Sequence, residues 1–234
     1  MYNLIHIVIP VYNEQENIKA TLSEIKSKVK TPYKVFIVYD FDEDNTLPVV
    51  EEWMHTNREV FLLKNKYGRG AVNAIKTGFA AVDEGIILVT MADLSDDLAK
   101  VDEMFRRVNE GYDIVCGSRY MKGGEQKGGP RFKKLLSKTA GISLHFLTGL
   151  PTHDVTNSFK MYTGKVLRDI ETESRGGFEI GMEIVVKAFK RGYRITEVPC
   201  CWCDREGGKT RFRLWKWLPK YIRWYFFAIR ARYH

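Results

Sequence analysis

Three groups of acidic and polar side chains carry the chemistry for which this sequence can be read. Tyr12, Asn13 and Glu14 follow one apolar run, Asp40, Asp42 and Asp44 a second, and Asp93, Ser95, Asp96 and Asp97 a third. Gathered at one edge, such groups suit a ribose, a base edge and a diphosphate bridged by a metal ion; they are a poor surface for nucleic acid. Asp40, Asp42, Asp44 and Glu51 also fall at positions 1, 3, 5 and 12 of a calcium-binding EF-hand loop. Yet a strand pattern precedes them, Asn45 replaces the turn glycine and Pro48 takes the ninth position, so calcium chemistry is not expected. Cys200, Cys201 and Cys203 crowd into one segment, with Cys116 elsewhere. No partner Cys or His pair lies at zinc-site spacing, and reduced thiols on a strand are expected.

The elements that must position these groups alternate along the first half. Residues 4–11 form a continuous β-branched run, as in a strand buried on both faces of a parallel sheet. Asn13 with Glu16 reads as a capping box opening a helix to about residue 29. Strands are expected over 33–39, 60–63, 86–90 and 112–116, with helices over 46–56, from the Gly68-Arg69-Gly70 turn to about 82, and over 97–109. This βαβαβαβαβ series predicts an α/β fold, a mostly parallel doubly wound sheet with helices on both faces. Ligands then bind outside the carboxyl ends of the strands, where the acidic groups stand.

In the second half, residues 122–130 are rich in Gly and Lys and read as a mobile loop. A helix over 131–148 ends at Gly149 and Pro151. Residues 154–162 read as a loop entering a strand, 178–190 as a helix and 195–198 as a strand. The tail from Leu214 reads as helical but interrupted by Pro219. With 234 residues the chain suits one well-buried domain, and its net charge of +8 favours polyanionic partners: nucleic acid, phosphate-bearing metabolites or an anionic membrane. No secretory leader and no run of about 20 apolar residues is seen, so a cytoplasmic protein touching a membrane surface is expected.

Several short segments, in one order, resemble glycosyltransferase family 2. Ile9-Pro10-Val11-Tyr12-Asn13-Glu14 resembles its opening motif. Val38, Asp40, Asp44 and Thr46 match its V-D-D-x-S-x-D-x-T segment, with Tyr39 and Asp42 as departures. Gly68-Arg69-Gly70 resembles its G-x-G turn. Thr90-Met91-Ala92-Asp93-Leu94-Ser95 resembles its metal-binding D-x-D signature, with Met91 where the first Asp is expected. Gly117-Ser118-Arg119-Tyr120, Arg131, 154–160, Gly177-Phe178 with Glu183, Glu197-Val198-Pro199 and Asp204-Arg205 with Gly208-Lys209-Thr210 continue it to about residue 211. Gly117-Ser118-Arg119, Ser158-Phe159-Lys160 and Arg205 with Gly208-Lys209-Thr210 look most like the dolichyl-phosphate mannose synthase group.

The resemblance implies a GT-A fold over 1–211. It also implies an inverting enzyme that moves a hexose from GDP-mannose or UDP-glucose to a polyprenyl phosphate. Pro10, Tyr12, Glu14, Asp40 and Asp93 are then expected at the nucleotide, and Asp93 with Ser95 at a magnesium or manganese ion, weakened by Met91. Magnesium can be held by one or two carboxylates plus substrate phosphates. Arg205 and Lys209 are expected to clamp the phosphates, and Arg119, Arg131, Ser158 and Lys160 to hold the acceptor phosphate. Asp154 is the candidate base should the acceptor be a hydroxyl.

Over 212–234, Lys216, Lys220, Arg223 and Arg230 lie near one helical face, and Leu218, Ile222, Tyr225 and Ile229 on another. Trp215, Trp217 and Trp224 flank them. The pattern suggests a helix at a membrane interface, on the cytoplasmic side. The competing expectations are a family-2 enzyme acting on a glycan or other hydroxyl acceptor, and a basic nucleic-acid-binding protein.

Overall fold

The structure is a computed structural model describing residues 1–204 and 214–230. Its strands are β1 (Ile5–Pro10), β2 (Tyr33–Tyr39), β3 (Val60–Lys64), β4 (Ile86–Val89), β5 (Ile114–Ser118), β6 (Glu125–Lys127), β7 (Lys160–Thr163), β8 (Ile195–Pro199) and β9 (Cys201–Cys203). The helices are α1 (Ile18–Lys28), α2 (Leu47–Met54), α3 (Ala71–Ala80), α4 (Val101–Asn109), α5 (Arg131–Thr148), α6 (Gly164–Asp169), α7 (Glu179–Lys190) and α8 (Leu214–Arg230). Seven strands make one sheet in the order β3-β2-β1-β4-β7-β5-β8, and β6 pairs with β9 in a small second one.

Alternation along β1 sorts the core into layers. Ile5, Ile7 and Ile9 pack with Ile18, Leu22 and Ile25 of α1 and Val101, Met104 and Val108 of α4. On the opposite face Val8 meets Ala74 of α3. That approach needs glycine: a Cβ on Gly78 would lie 2.3 Å from a Val8 methyl. A third cluster joins Leu144 of α5, Ile180 and Ile184 of α7, and Trp224 and Ala228 of α8.

The expected mostly parallel sheet is present, with one departure. β7 runs antiparallel between β4 and β5, its Lys160 registered against both Val89 and Cys116. The apolar run marks burial on both faces and carries no information on strand direction. Asn13 does not cap α1, which starts at Ile18; it adopts φ 53° in the left-handed region. The helix expected over 97–109 opens as a 3-10 turn at Leu98–Lys100. Residues 122–130 are more than a loop, because Glu125–Lys127 pairs in parallel with Cys201–Cys203. The expected interruption at Pro219 is also corrected: α8 continues through it. Burial of Trp224 and Ala228 against the third cluster outweighs the one amide donor that Pro219 lacks.

α8 lies on the body through charged and aromatic contacts. Lys187 of α7 reaches Glu173 and Glu183 at 2.7 Å each and sits 5.0 Å from the Trp224 ring centre. Lys190 stands over Phe227, and Arg223 pairs with Glu173. On its other side α8 meets α5 through a 2.9 Å hydrogen bond between Tyr225 and Ser143.

Candidate active site

Parallel register aligns the carboxyl ends of β2, β1 and β4: Pro10 faces Val38, and Val8 faces Val89. The segments leaving those ends are then tied to one another. The Asn13 amide donates to both oxygens of Asp44 at 3.1 Å, the Asn45 amide donates to the Asn13 side-chain oxygen, and the Glu14 amide donates to Thr46 Oγ1 at 2.9 Å. Asp44 is buried and also accepts from the Thr46 amide. The left-handed turn at Asn13 aims consecutive amides at the second loop, a geometry that a capping box would forbid.

Asp40 performs the same service for the third loop. Its Oδ1 accepts from Asn65 Nδ2 at 2.8 Å and its Oδ2 from the Gly70 amide at 2.9 Å. Gly70 sits at φ 119°, which only glycine adopts freely. Asn65 was not anticipated, although it directly follows β3 at the ligand-binding edge. Above this frame Tyr12 meets Phe41 edge-on at 5.3 Å, and the Arg69 guanidinium lies 5.1 Å from the same ring.

The loop after β4 is the most constrained. Ser95 Oγ and its amide donate to Asp93 Oδ1 at 2.5 and 3.2 Å, and Leu94 between them is left-handed at φ 59°. Thr21 of α1 ties the loop down by donating to the Ala92 carbonyl at 2.9 Å. Asp96, buried beneath, accepts from Thr90 Oγ1 and the Met91 amide. Burial, then the charge of Asp93, pushes the Asp96 carboxyl up to about 7. Asp96 thereby braces the turn from below. Among the described residues no group of three or more His, Cys, Asp or Glu is arranged to hold a metal ion.

Across the inserted β7, a cation stands at the end of β5. Arg119 forms a two-pronged ion pair with Asp154: Nε to Oδ2 at 2.6 Å and Nη2 to Oδ1 at 2.9 Å. The Arg119 amide and Thr156 Oγ1 donate to the same carboxylate. Burial alone would lower the guanidinium pKa, but the facing Asp154 raises it beyond the usual arginine range. Its charge also reaches Asp96. Asp154 is fully buried with four donors upon it, so its lone pairs are committed to orienting Arg119.

Lys160 is fully buried too, donates to the Val155 carbonyl at 3.1 Å, and burial lowers its pKa. Arg131 is exposed at the start of α5. Ser158 lines a narrow apolar cleft with Phe79, Tyr162 and Phe178. Arg205 and Lys209 lie outside the described residues. The strand before them is placed, however: the Cys203 amide donates to the Ser95 carbonyl and the Cys201 amide to Asp97 Oδ2, both at 3.1 Å. The chain therefore leaves β9 beside the Asp93 turn.

Comparison with known proteins places the chain among relatives of one family. The family model for Glycosyl transferase family 2 matches residues 6–171. A polyprenol monophosphomannose synthase of Mycolicibacterium smegmatis is 29% identical over 216 residues, covering 88% of this chain and 79% of that protein. A dolichol-phosphate mannosyltransferase of Pyrococcus furiosus is 27% identical over 214 residues, covering 89% of this chain but only 59% of the relative. Among solved structures, glucosyl-3-phosphoglycerate synthase from Mycobacterium tuberculosis, in complex with Mn2+, uridine diphosphate and glucosyl-3-phosphoglycerate, superposes with a TM-score of 0.68. It is 17% identical and covers 98% of this chain and 80% of its own. That likeness identifies the fold as GT-A.

Proposed function

The chain belongs to glycosyl transferase family 2, and from that premise we propose that it transfers a hexose from a nucleoside-diphosphate sugar to a polyprenyl phosphate, without a protein base. The observation that carries the reading is the Arg119–Asp154 pair. A sugar hydroxyl acceptor needs a group to take its proton, and here the candidate carboxylate is spent on a guanidinium. A phosphate monoester has its second pKa at about 6 and is already a nucleophilic anion near neutral pH. What it needs is a fixed cation, and Arg119 Nη1 makes no hydrogen bond among the described residues. The names of the two curated relatives support the same acceptor class.

On the donor side the nucleotide would lie along the frame set by Pro10, Tyr12, Glu14 and Asp40. The exposed Tyr12 ring and Arg69 beside Phe41 offer a flat surface for a base. For a metal ion the residues fit in a limited way. Asp93 is a single carboxylate that Ser95 aims, with Met91 at the neighbouring position, so the ion would be shared with the donor's own oxygens. Magnesium or manganese held there would neutralise charge on the departing diphosphate. The protein's part is to fix the Asp93 turn through Asp96 and Thr21, and to close over the phosphates with Arg205 and Lys209. Arg131 would meet the acceptor at the rim; Lys160 and Ser158 would support the site from behind.

Access to a lipid-borne acceptor is supported by an apolar surface on the two adjacent helices. Phe132, Leu135 and Phe146 of α5 and Ile222 and Phe226 of α8 are exposed, Phe146 at 75% and Phe226 at 54%. Arg131, Lys138, Arg223 and Arg230 are exposed on the same helices. No helix among the described residues is long and apolar enough to cross a membrane. An interfacial seat, with apolar side chains in the acyl boundary and cations at the headgroups, suits this surface.

Thermal unfolding with GDP-mannose and with UDP-glucose, each with and without magnesium, tests the donor half. A ligand that binds only the folded state raises the melting temperature, and Asp93→Ala should abolish the magnesium-dependent part. An unchanged response in that variant removes Asp93 from the donor site.

A further inference from the structure

The structure carries a thiol pair that the transfer reaction leaves unused. Cys201 and Cys203 alternate with Trp202 on β9, so both side chains leave the same face, and their sulfurs stand 3.7 Å apart. Cys203 is exposed and Cys201 partly so, whereas Cys116 and Cys200 are buried. Cys200, facing the core under Asn157, points away from the pair. β9 is also held on both sides. β6 pairs with it along Glu125–Lys127, and the other side bonds to the Asp93 turn through the Ser95 carbonyl and the Asp97 carboxylate.

We propose that Cys201 and Cys203 are a reversible dithiol–disulfide site whose closure disturbs the Asp93 turn. The exposed Cys203 thiolate attacks a low-molecular-weight disulfide, breaking its S–S bond, forming a mixed disulfide and releasing one small thiolate. The Cys201 thiolate then attacks the Cys203 sulfur, forming the internal S–S bond and expelling the second. Two protein thiols are oxidised, one external disulfide is reduced, and the two protons pass to the small thiols released. Two residues apart on an extended strand, the Cα atoms stand at the long limit of disulfide geometry, so closure must shorten β9. The shortened strand cannot keep its bonds to β6 and to both Ser95 and Asp97. A ring under such strain is readily reduced, so the pair stays open in a reducing compartment and closes under oxidant.

Formation of the bond is independent of the function proposed above; its effect on donor binding rests on that reading. The protein is exposed to glutathione disulfide, its remaining thiols are alkylated after unfolding, and the 201–203 segment is analysed by mass spectrometry. The expected product lacks two alkylatable thiols, carries no glutathione, and regains both thiols with dithiothreitol. Cys203→Ser and Cys201→Ser should each stop at a single glutathione adduct. Stable adducts on both cysteines of the unsubstituted protein, or disulfide-linked dimers, overturn the site. If the internal bond forms, sugar-nucleotide affinity should fall at least about tenfold relative to the reduced form, while Cys203→Ser, which carries only its single glutathione adduct under the same oxidant and cannot close the ring, keeps the affinity of the reduced protein. Equal affinity in both forms overturns the coupling to the Asp93 turn. No sugar-nucleotide binding even by the reduced protein would instead indict the proposed function.

Discussion

Replacing Asp154 with asparagine isolates the ion pair on which the acceptor argument rests. The Asp154 side chain is fully buried and that of Arg119 only 10% exposed, so solvent screens the pair weakly. Asparagine keeps the shape and one acceptor oxygen but leaves a guanidinium charge without its counterion. Uncompensated buried charges of this kind cost about 3–5 kcal/mol. For a chain of this size that lowers the melting temperature by roughly 10 °C. Urea unfolding at neutral pH measures it. Arg119→Met combined with Asp154→Asn should recover much of the loss, because the double substitution removes both charges. The kinetic counterpart is selective: Asp154→Asn should raise KM for the acceptor and leave sugar-nucleotide binding near that of the parent protein. A single-variant loss under about 1 kcal/mol, or strict additivity in the double variant, would refute the argument that Asp154 exists to hold Arg119.

Two further outcomes follow from the same geometry. The folded chain keeps a proton on Asp96 that the unfolded chain has already released, so stability should fall as pH rises from 3.8 to about 7 and level off above. Asp96→Asn should flatten that fall and stabilise the protein at pH 8 by up to ~4 kcal/mol; a variant with the parent's pH profile contradicts it. At the exposed apolar surface, Ile222→Asp with Phe226→Asp should reduce co-sedimentation with anionic vesicles by at least about tenfold without changing the melting temperature much. Undiminished vesicle binding would place the membrane contact elsewhere.

Much of the sheet edge at β1, β2 and β4 was legible from residue order because its signals are local. A continuous β-branched run such as 4–11 marks a buried strand, and the polar residues just beyond it mark the ligand edge. The roles within that edge were not. Asn13 looked like a helix cap because the Asn-x-x-Glu pattern is local, while its actual partner, Asp44, lies 31 residues away. The partner of Asp154 was hidden for the same reason: Arg119 is 35 residues off, just beyond the end of β5. The antiparallel β7 and the β6–β9 pair escaped because strand direction and short non-local pairing leave no periodic trace. The burial of Lys160 against the run of its own charge shows the same limit, since side-chain desolvation depends on neighbours from β4 and β5.

The most direct test supplies the full chain with labelled GDP-mannose or UDP-glucose, magnesium, and vesicles containing a polyprenyl phosphate, with hydroxyl acceptors in parallel. The account predicts an organic-extractable, mild-acid-labile phosphodiester-linked sugar that depends on Arg119 and on the lipid phosphate. Labelled product formed only on a hydroxyl acceptor, with none on the polyprenyl phosphate, would contradict it.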